Sequence, residues 1–259
     1  MSTESEILRA ADRMVKSLEE RVRDEPAVRA TLRRAAGRRV DDPAVLPVHT
    51  FVARYLNGPL THLESDPNAR RRTPEQDVER AFYGVAAMIA AQPRRARDRK
   101  AAEGTEGAEG AGEDARDTLP EEPGPSSSPD TGRAPGTGQK GADPLRRGSN
   151  LGAMIGRAVT EGRLNGETTE GRLHLLCRQS VDGVHSQLPR LVLHARDRDV
   201  DIDWGRLTLD LSRWGGDRDA VAKEWVQSYH RVIETERARR EKAPVDPNTT
   251  DETDEDTAA

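Results

Sequence analysis

Four guanidinium groups fall within seven residues in TLRRAAGRR, residues 31–39. A planar guanidinium can hold two phosphate oxygens at once, so Arg33, Arg34, Arg38 and Arg39 offer anion-binding chemistry. A helix ending explains the same residues: cations favour the negative end of the macrodipole, with Gly37 as a left-handed stop. Other reactive types are sparse. Six histidines stand at 49, 62, 174, 185, 194 and 230, without the HExxH or paired Cys/His spacing of a recognised metal motif, so no metal site is expected. His62 and Glu64 are close in a predicted loop, but two ligands do not make a site. Asp201 and Asp203 flank Ile202 as a carboxylate pair, for which helix capping is the stronger reading. Cys177 lies in HLLCRQ on an apolar helical face, with no partner histidine at a recognisable spacing. GAEGAG at 107–112 lacks the strand and helix that would make it a dinucleotide loop, and there is no Walker loop or GxSxG. Trp204, Trp214 and Trp225 could stack on bases, but their helical spacing among Leu and Val predicts core positions. The residues therefore point away from an enzyme, and no cofactor is expected.

The elements that must carry these side chains read as helices. Ile7, Ala11, Val15, Leu18 and Val22 form one apolar stripe. A second helix begins at Pro26 and stops at Gly37. A third is predicted from about Pro47 to Leu56, and TPEQ at 73–76 opens a fourth that ends at Pro93. Beyond residue 147, Ser149 or Asn150 can cap LGAMIGRAV, Thr168 or Thr169 can cap EGRLHLLCRQ, and Ser180 can cap a helix that Pro189 should kink or split. Asp203 caps a helix bearing Leu207, Leu211 and Trp214, and a long final helix carries Val221, Trp225 and Tyr229.

The 259 residues are 34% apolar and 34% charged, which suits one or two domains with part of the chain unfolded. Residues 93–147 run through EGTEGAEGAGE and PEEPGPSSSPDTGRAPGTGQ with almost no large apolar side chain, and cannot bury enough surface to offset their ordering entropy. The reading is all-α: a helical bundle over 1–92, a disordered linker over 93–147, a second bundle over 148–242 and a disordered acidic tail over 243–259. Net charge divides accordingly. With histidine neutral, residues 1–92 carry +1, 93–143 carry −3, 144–242 carry +3 and 243–259 carry −6. The acidity thus belongs to the linker and tail, while the foldable parts are mildly basic. No run approaches the roughly 18 apolar residues of a membrane span, and no targeting segment is legible at the N-terminus, so a cytoplasmic protein is expected.

Several stretches together resemble the CasB-type small subunit of the type I-E CRISPR Cascade effector complex. They are TLRRAAG at 31–37, SNLGAMIGRAV at 149–159, GETTEGRLHLLCRQS at 166–180, QLPRLVLHA at 187–195 and VDIDWGRLTLDLSRWGGDRDAVAKEWVQSY at 200–229. The last is the most specific, with Asp-Trp, then Leu-x-x-Asp-Leu-x-x-Trp, then a second Trp and a Tyr in that order. The resemblance covers most of residues 6–92 and 145–235. Two positions depart from it: Leu151-Gly152-Ala153 where the family usually reads Leu-Gly-Arg, and Glu170-Gly171-Arg172 where it usually reads Glu-Arg-Arg.

The resemblance implies a non-catalytic helical subunit that lines a basic groove for nucleic acid and stabilises the R-loop in antiviral defence. The implied partners are CasA, CasC, CasD, CasE, the crRNA, target DNA, the displaced strand and a second copy of the chain. Guide pairing reads the sequence in such complexes, so sequence-blind phosphate contacts suffice. Arg33, Arg34, Arg172, Arg190, Arg213 and Arg218 fall on or beside the motifs and are the expected contacts. Arg157, Arg38 and Arg39 join them from local charge alone. The rival readings are a helical DNA-binding regulator, which would need a recognition helix, and an adaptor whose arginines bind acidic protein surfaces.

Overall fold

The computed structural model describes residues 3–61, 63, 73–94 and 149–242; most of the expected linker, the acidic tail, His62 and Glu64 lie outside the described residues. All regular structure among them is helical. Helix α1 (Thr3–Asp24) buries Ile7, Ala11, Met14, Leu18 and Val22 along one stripe. Met14 completes the 3.6-residue period that was assigned to Val15, which lies half-buried at the stripe's edge. Helix α2 (Pro26–Arg33) has proline at its first position, and Gly37 follows at φ +70°, the left-handed stop predicted for it.

The single helix expected over 47–56 is instead a run of short turns. A 3-10 segment (Pro43–Val48) leads into α3 (His49–Val52), a 3-10 turn (Ala53–Tyr55) and α4 (Asn57–Thr61). Asp42 starts the run earlier than expected by accepting the Ala44 N–H at 2.8 Å. Pro47 has no N–H to return to the carbonyl four residues back, and the chain takes tighter turns there.

Helix α5 (Pro74–Ala91) opens with the Thr73 N–H donated to Gln76 Oε1 at 3.3 Å. It is buried on nearly every face, from Val78 through Phe82, Val85 and Met88 to Ala90, as befits a core helix. It packs against α1 and α2 and also against two helices from beyond the linker, α8 (Val181–Asp197) and α9 (Trp204–Lys242). Polar ties join it to α8: Arg80 to Asp182, and Gln92 Oε1 accepting from Arg196 Nε at 2.8 Å.

Between them lie α6 (Leu151–Thr160), capped by Asn150 at 3.0 Å, and α7 (Gly166–Cys177). The cap of α7 is Asn165, which accepts the Thr168 N–H at 2.9 Å, not either threonine; Thr169 is buried inside the helix instead. Ser180 caps α8, and the helix runs through Pro189 without being split. The two expected terminal helices meet as α9 across a kink at Asp217 (φ −137°, ψ 39°), just after Gly215-Gly216. Asp203 caps α9, accepting the Arg206 N–H at 2.8 Å.

Helix α6 lies on α9 at backbone contact. A Cβ at Gly152 would overlap the Trp225 carbonyl oxygen, and one turn on, Gly156 faces Tyr229. Only a residue without a side chain permits that approach. Trp204, Trp214 and Trp225 are all buried, as their spacing predicts, so none presents a stacking face. No helix among the described residues is long and apolar enough to cross a membrane.

Candidate nucleic-acid interface

Two of the predicted arginines are brought together. Arg172 on α7 and Arg190 on α8 line one open groove of about 700 Å³ between the two helices. Each helix supplies a stripe at helical spacing: Arg172, Leu175 and Leu176 on α7; Ser186, Arg190 and His194, with Gln187 and Leu191 beside them, on α8. The three-residue turn after Cys177 folds one helix back beside the other. Both guanidinium groups are exposed, and among the described residues no ion pair engages either. Leu175 is 53% exposed in this wall, against full burial of Leu173. The groove thus offers two available cations, polar hydrogen-bonding groups and an apolar floor, which suits a phosphate chain with its sugars.

Other predicted positions stand apart from it. Arg33 and Arg34 are exposed at the end of α2, and among the described residues neither is in an ion pair. Arg38 pairs with Asp42 at 2.8 Å, while Arg39 is exposed beside it. Arg157 is hydrogen-bonded to Ser149 Oγ and shares a shallow cleft with Arg231, Val232, Thr235 and Glu236.

Arg213 and Arg218 have carboxylate company. Arg213 reaches Glu4 at 3.2 Å, Asp217 at 3.1 Å and Glu224 at 3.8 Å, holding the start of α1 against α9. Arg218 pairs with its neighbour Asp219 at 2.8 Å on the rim of a cleft beside the kink. A phosphate would have to displace these carboxylates, whereas at Arg172 and Arg190 it would not.

The remaining reactive residues serve the fold. Asp201 pairs with the buried Arg196 at 2.7 Å while Asp203 caps α9, so the carboxylate pair is divided between two structural tasks. Burial pushes the Cys177 thiol up to about 11, which leaves it protonated and unreactive near neutral pH. Ser186, Gln187 and His194 escaped the sequence reading because only the α7 and α8 pairing gives them a common surface. Leu175 carried a legible signal, being an apolar residue off the Leu173 and Leu176 stripe.

The chain matches the family described as CRISPR-associated protein Cse2 over residues 28–230. Two solved structures, a "CRISPR RNA-guided surveillance complex, pre-nicking" and a "CRISPR RNA-guided surveillance complex", each contain a chain 38% identical to this one. In both cases the alignment covers 90% of this chain and 99% of the other, with TM-scores of 0.64 and 0.63. No curated protein matches the chain. The family match spans the end of α2, the core helix α5, both walls of the groove and the Trp-bearing part of α9, and on that extent the chain belongs to the CRISPR-associated Cse2 family.

Proposed function

We propose that this chain is a non-catalytic small subunit of a type I-E CRISPR surveillance complex, and that the α7 and α8 groove holds nucleic-acid backbone without reading its sequence. The observation that carries the reading is the convergence of Arg172 and Arg190 on an open groove where neither has a described carboxylate partner. Membership of the Cse2 family and likeness to chains in surveillance complexes supply the setting. In that setting the partners are the other Cascade subunits, crRNA, target DNA, the displaced strand and a second copy of the chain, in the cytoplasm. The groove stabilises the R-loop by neutralising phosphates as strands separate. Arg33 and Arg34 form a second available pair and belong to the same sequence-blind surface.

Charge reversal tests this. Arg172→Glu with Arg190→Glu, in the full chain assembled with its complex, should weaken binding of single-stranded DNA about equally across sequences. Each lost phosphate contact should lower the slope of log K against log salt by about one. Arg213→Glu gives the contrast, acting mainly on stability because its partners are Glu4, Asp217 and Glu224. Unchanged affinity in the double variant, or a loss confined to one sequence, overturns the reading. Partners that stay attached after nuclease treatment while DNA binding is absent would favour the adaptor.

A further inference from the structure

Helix α7 has a second face, turned from the groove toward α9. Along it stand Glu170, His174 and Cys177, at the four- and three-residue steps of one helical stripe. The helices run antiparallel there: Cys177 Sγ lies 3.8 Å from the Ala222 carbonyl oxygen, and Glu170 Oε1 lies 3.7 Å from His230 Nε2. The His174 and His230 rings stand 6.2 Å apart between centroids. One ligand atom from each of Glu170, His174 and His230 can be chosen so that all three lie within 4.8 Å of one another.

We propose that Glu170, His174 and His230 bind a divalent transition metal, with Zn²⁺ the expected ion, tying α7 to the second half of α9. Two imidazoles and one carboxylate make a donor set that favours Zn²⁺ and its first-row neighbours over the all-oxygen preference of Mg²⁺ and Ca²⁺. Tetrahedral zinc with ligands at about 2.0–2.1 Å needs them roughly 3.3 Å apart. The observed spread therefore requires inward rotation by side chains. His174 is exposed and can make it, while His230 is steadied by the Tyr229 ring at 5.3 Å, edge to face. Three protein ligands leave a fourth position for water. The ion would brace the helix that supplies one wall of the groove, but the proposal uses none of the groove's residues and stands apart from the nucleic-acid reading.

The competing explanation is a simple ion pair between Glu170 and protonated His230. His174 separates the two, since His174→Ala removes a metal ligand and leaves that pair intact. The test uses the tag-free full-length chain carrying Cys177→Ser, so that the thiol cannot contribute. Calorimetric titration with Zn²⁺ should give one site, and Co²⁺ should give visible absorption of a tetrahedral ion. His174→Ala and His230→Ala should each weaken Zn²⁺ binding at least tenfold, with far-UV circular dichroism unchanged for the exposed His174→Ala. Equal Zn²⁺ affinity in the parent and His174→Ala, or no saturable binding by the parent, overturns the site.

Discussion

Asp210 has no exposed surface, yet it is an ionisable group seated between Arg206 Nε at 2.8 Å and the Trp225 indole N–H at 2.7 Å. Arg206 continues to Glu224 at 3.0 Å, and Glu224 reaches Arg213, so one polar chain leads from the buried Asp210 out to partly exposed side chains. The Asp-Leu-x-x-Trp part of the 200–229 stretch therefore includes packing and buried hydrogen bonding, with Asp210 tied to Arg206 and Trp225 and the Trp214 indole N–H donated to the Gln179 carbonyl at 3.2 Å. Burial pushes the Asp210 carboxyl up to about 6, against the opposing pull of Arg206 and Trp225. Between about pH 4 and pH 6 the folded chain holds this proton more tightly than the unfolded chain does. Its contribution to stability is full below pH 4 and is lost as pH rises through 6. Urea unfolding of the parent and Asp210→Asn across pH 4 to 7 measures it: the parent should lose stability relative to the variant as pH rises. Parallel profiles would place the titration elsewhere.

At the scale of the helix, α7 carries one of the two departures from the resemblance, at Gly171. Gly171 is exposed, and a side chain there would meet nothing within 4 Å. It stands one turn before Leu175, a groove-lining residue, and beside Arg172. Gly171→Arg supplies the Glu-Arg-Arg expected from the resemblance and replaces an exposed helical glycine, a change worth about 0.5–1 kcal/mol from propensity alone. It should raise the urea midpoint, tighten single-stranded DNA binding and steepen the salt dependence by about one unit. A stabilised variant with unchanged affinity would mean that this face of α7 does not meet nucleic acid. Helices α2, α8 and α9 were legible because their signals are local: Gly37 stops α2, Ser180 and Asp203 cap α8 and α9, and the tryptophans are core. What escaped was set by contact or competition. Pro47 and Asp42 set tighter turns at the start of one expected helix, Asn165 displaced the threonines as a cap, and His230 lies 56 residues from His174, beyond any spacing rule. The site was half legible for the same reason. Sequence marks which arginines lie on motifs, but only packing shows that Arg213 is committed to carboxylates while Arg172 and Arg190 are not.

Across the whole molecule, the helices on either side of the linker share one apolar cluster, from Ile7 in α1 through Phe82 and Ile89 in α5 to Leu188, Trp214 and Trp225. Helix α5 is what joins them. Its Arg80 is buried against Asp182, its Gly84 leaves room for the His185 ring, and Gln92 satisfies the buried Arg196. Those three contacts lie along two helices running the same way, so the register of α5 on α8 is fixed at both ends. Separation would expose the nearly all-round apolar surface of α5 to water, a strongly unfavourable change. The covalent connection through residues 95–148 should then be dispensable once the chain has folded. A protease site placed in that segment and cleaved in the native protein tests this. The two fragments should co-elute as one species on size exclusion and retain the parent's near-ultraviolet tryptophan signal, separating only in denaturant. Fragments that part in native buffer would show that the linker, and not the α5 interface, holds the two helical groups together.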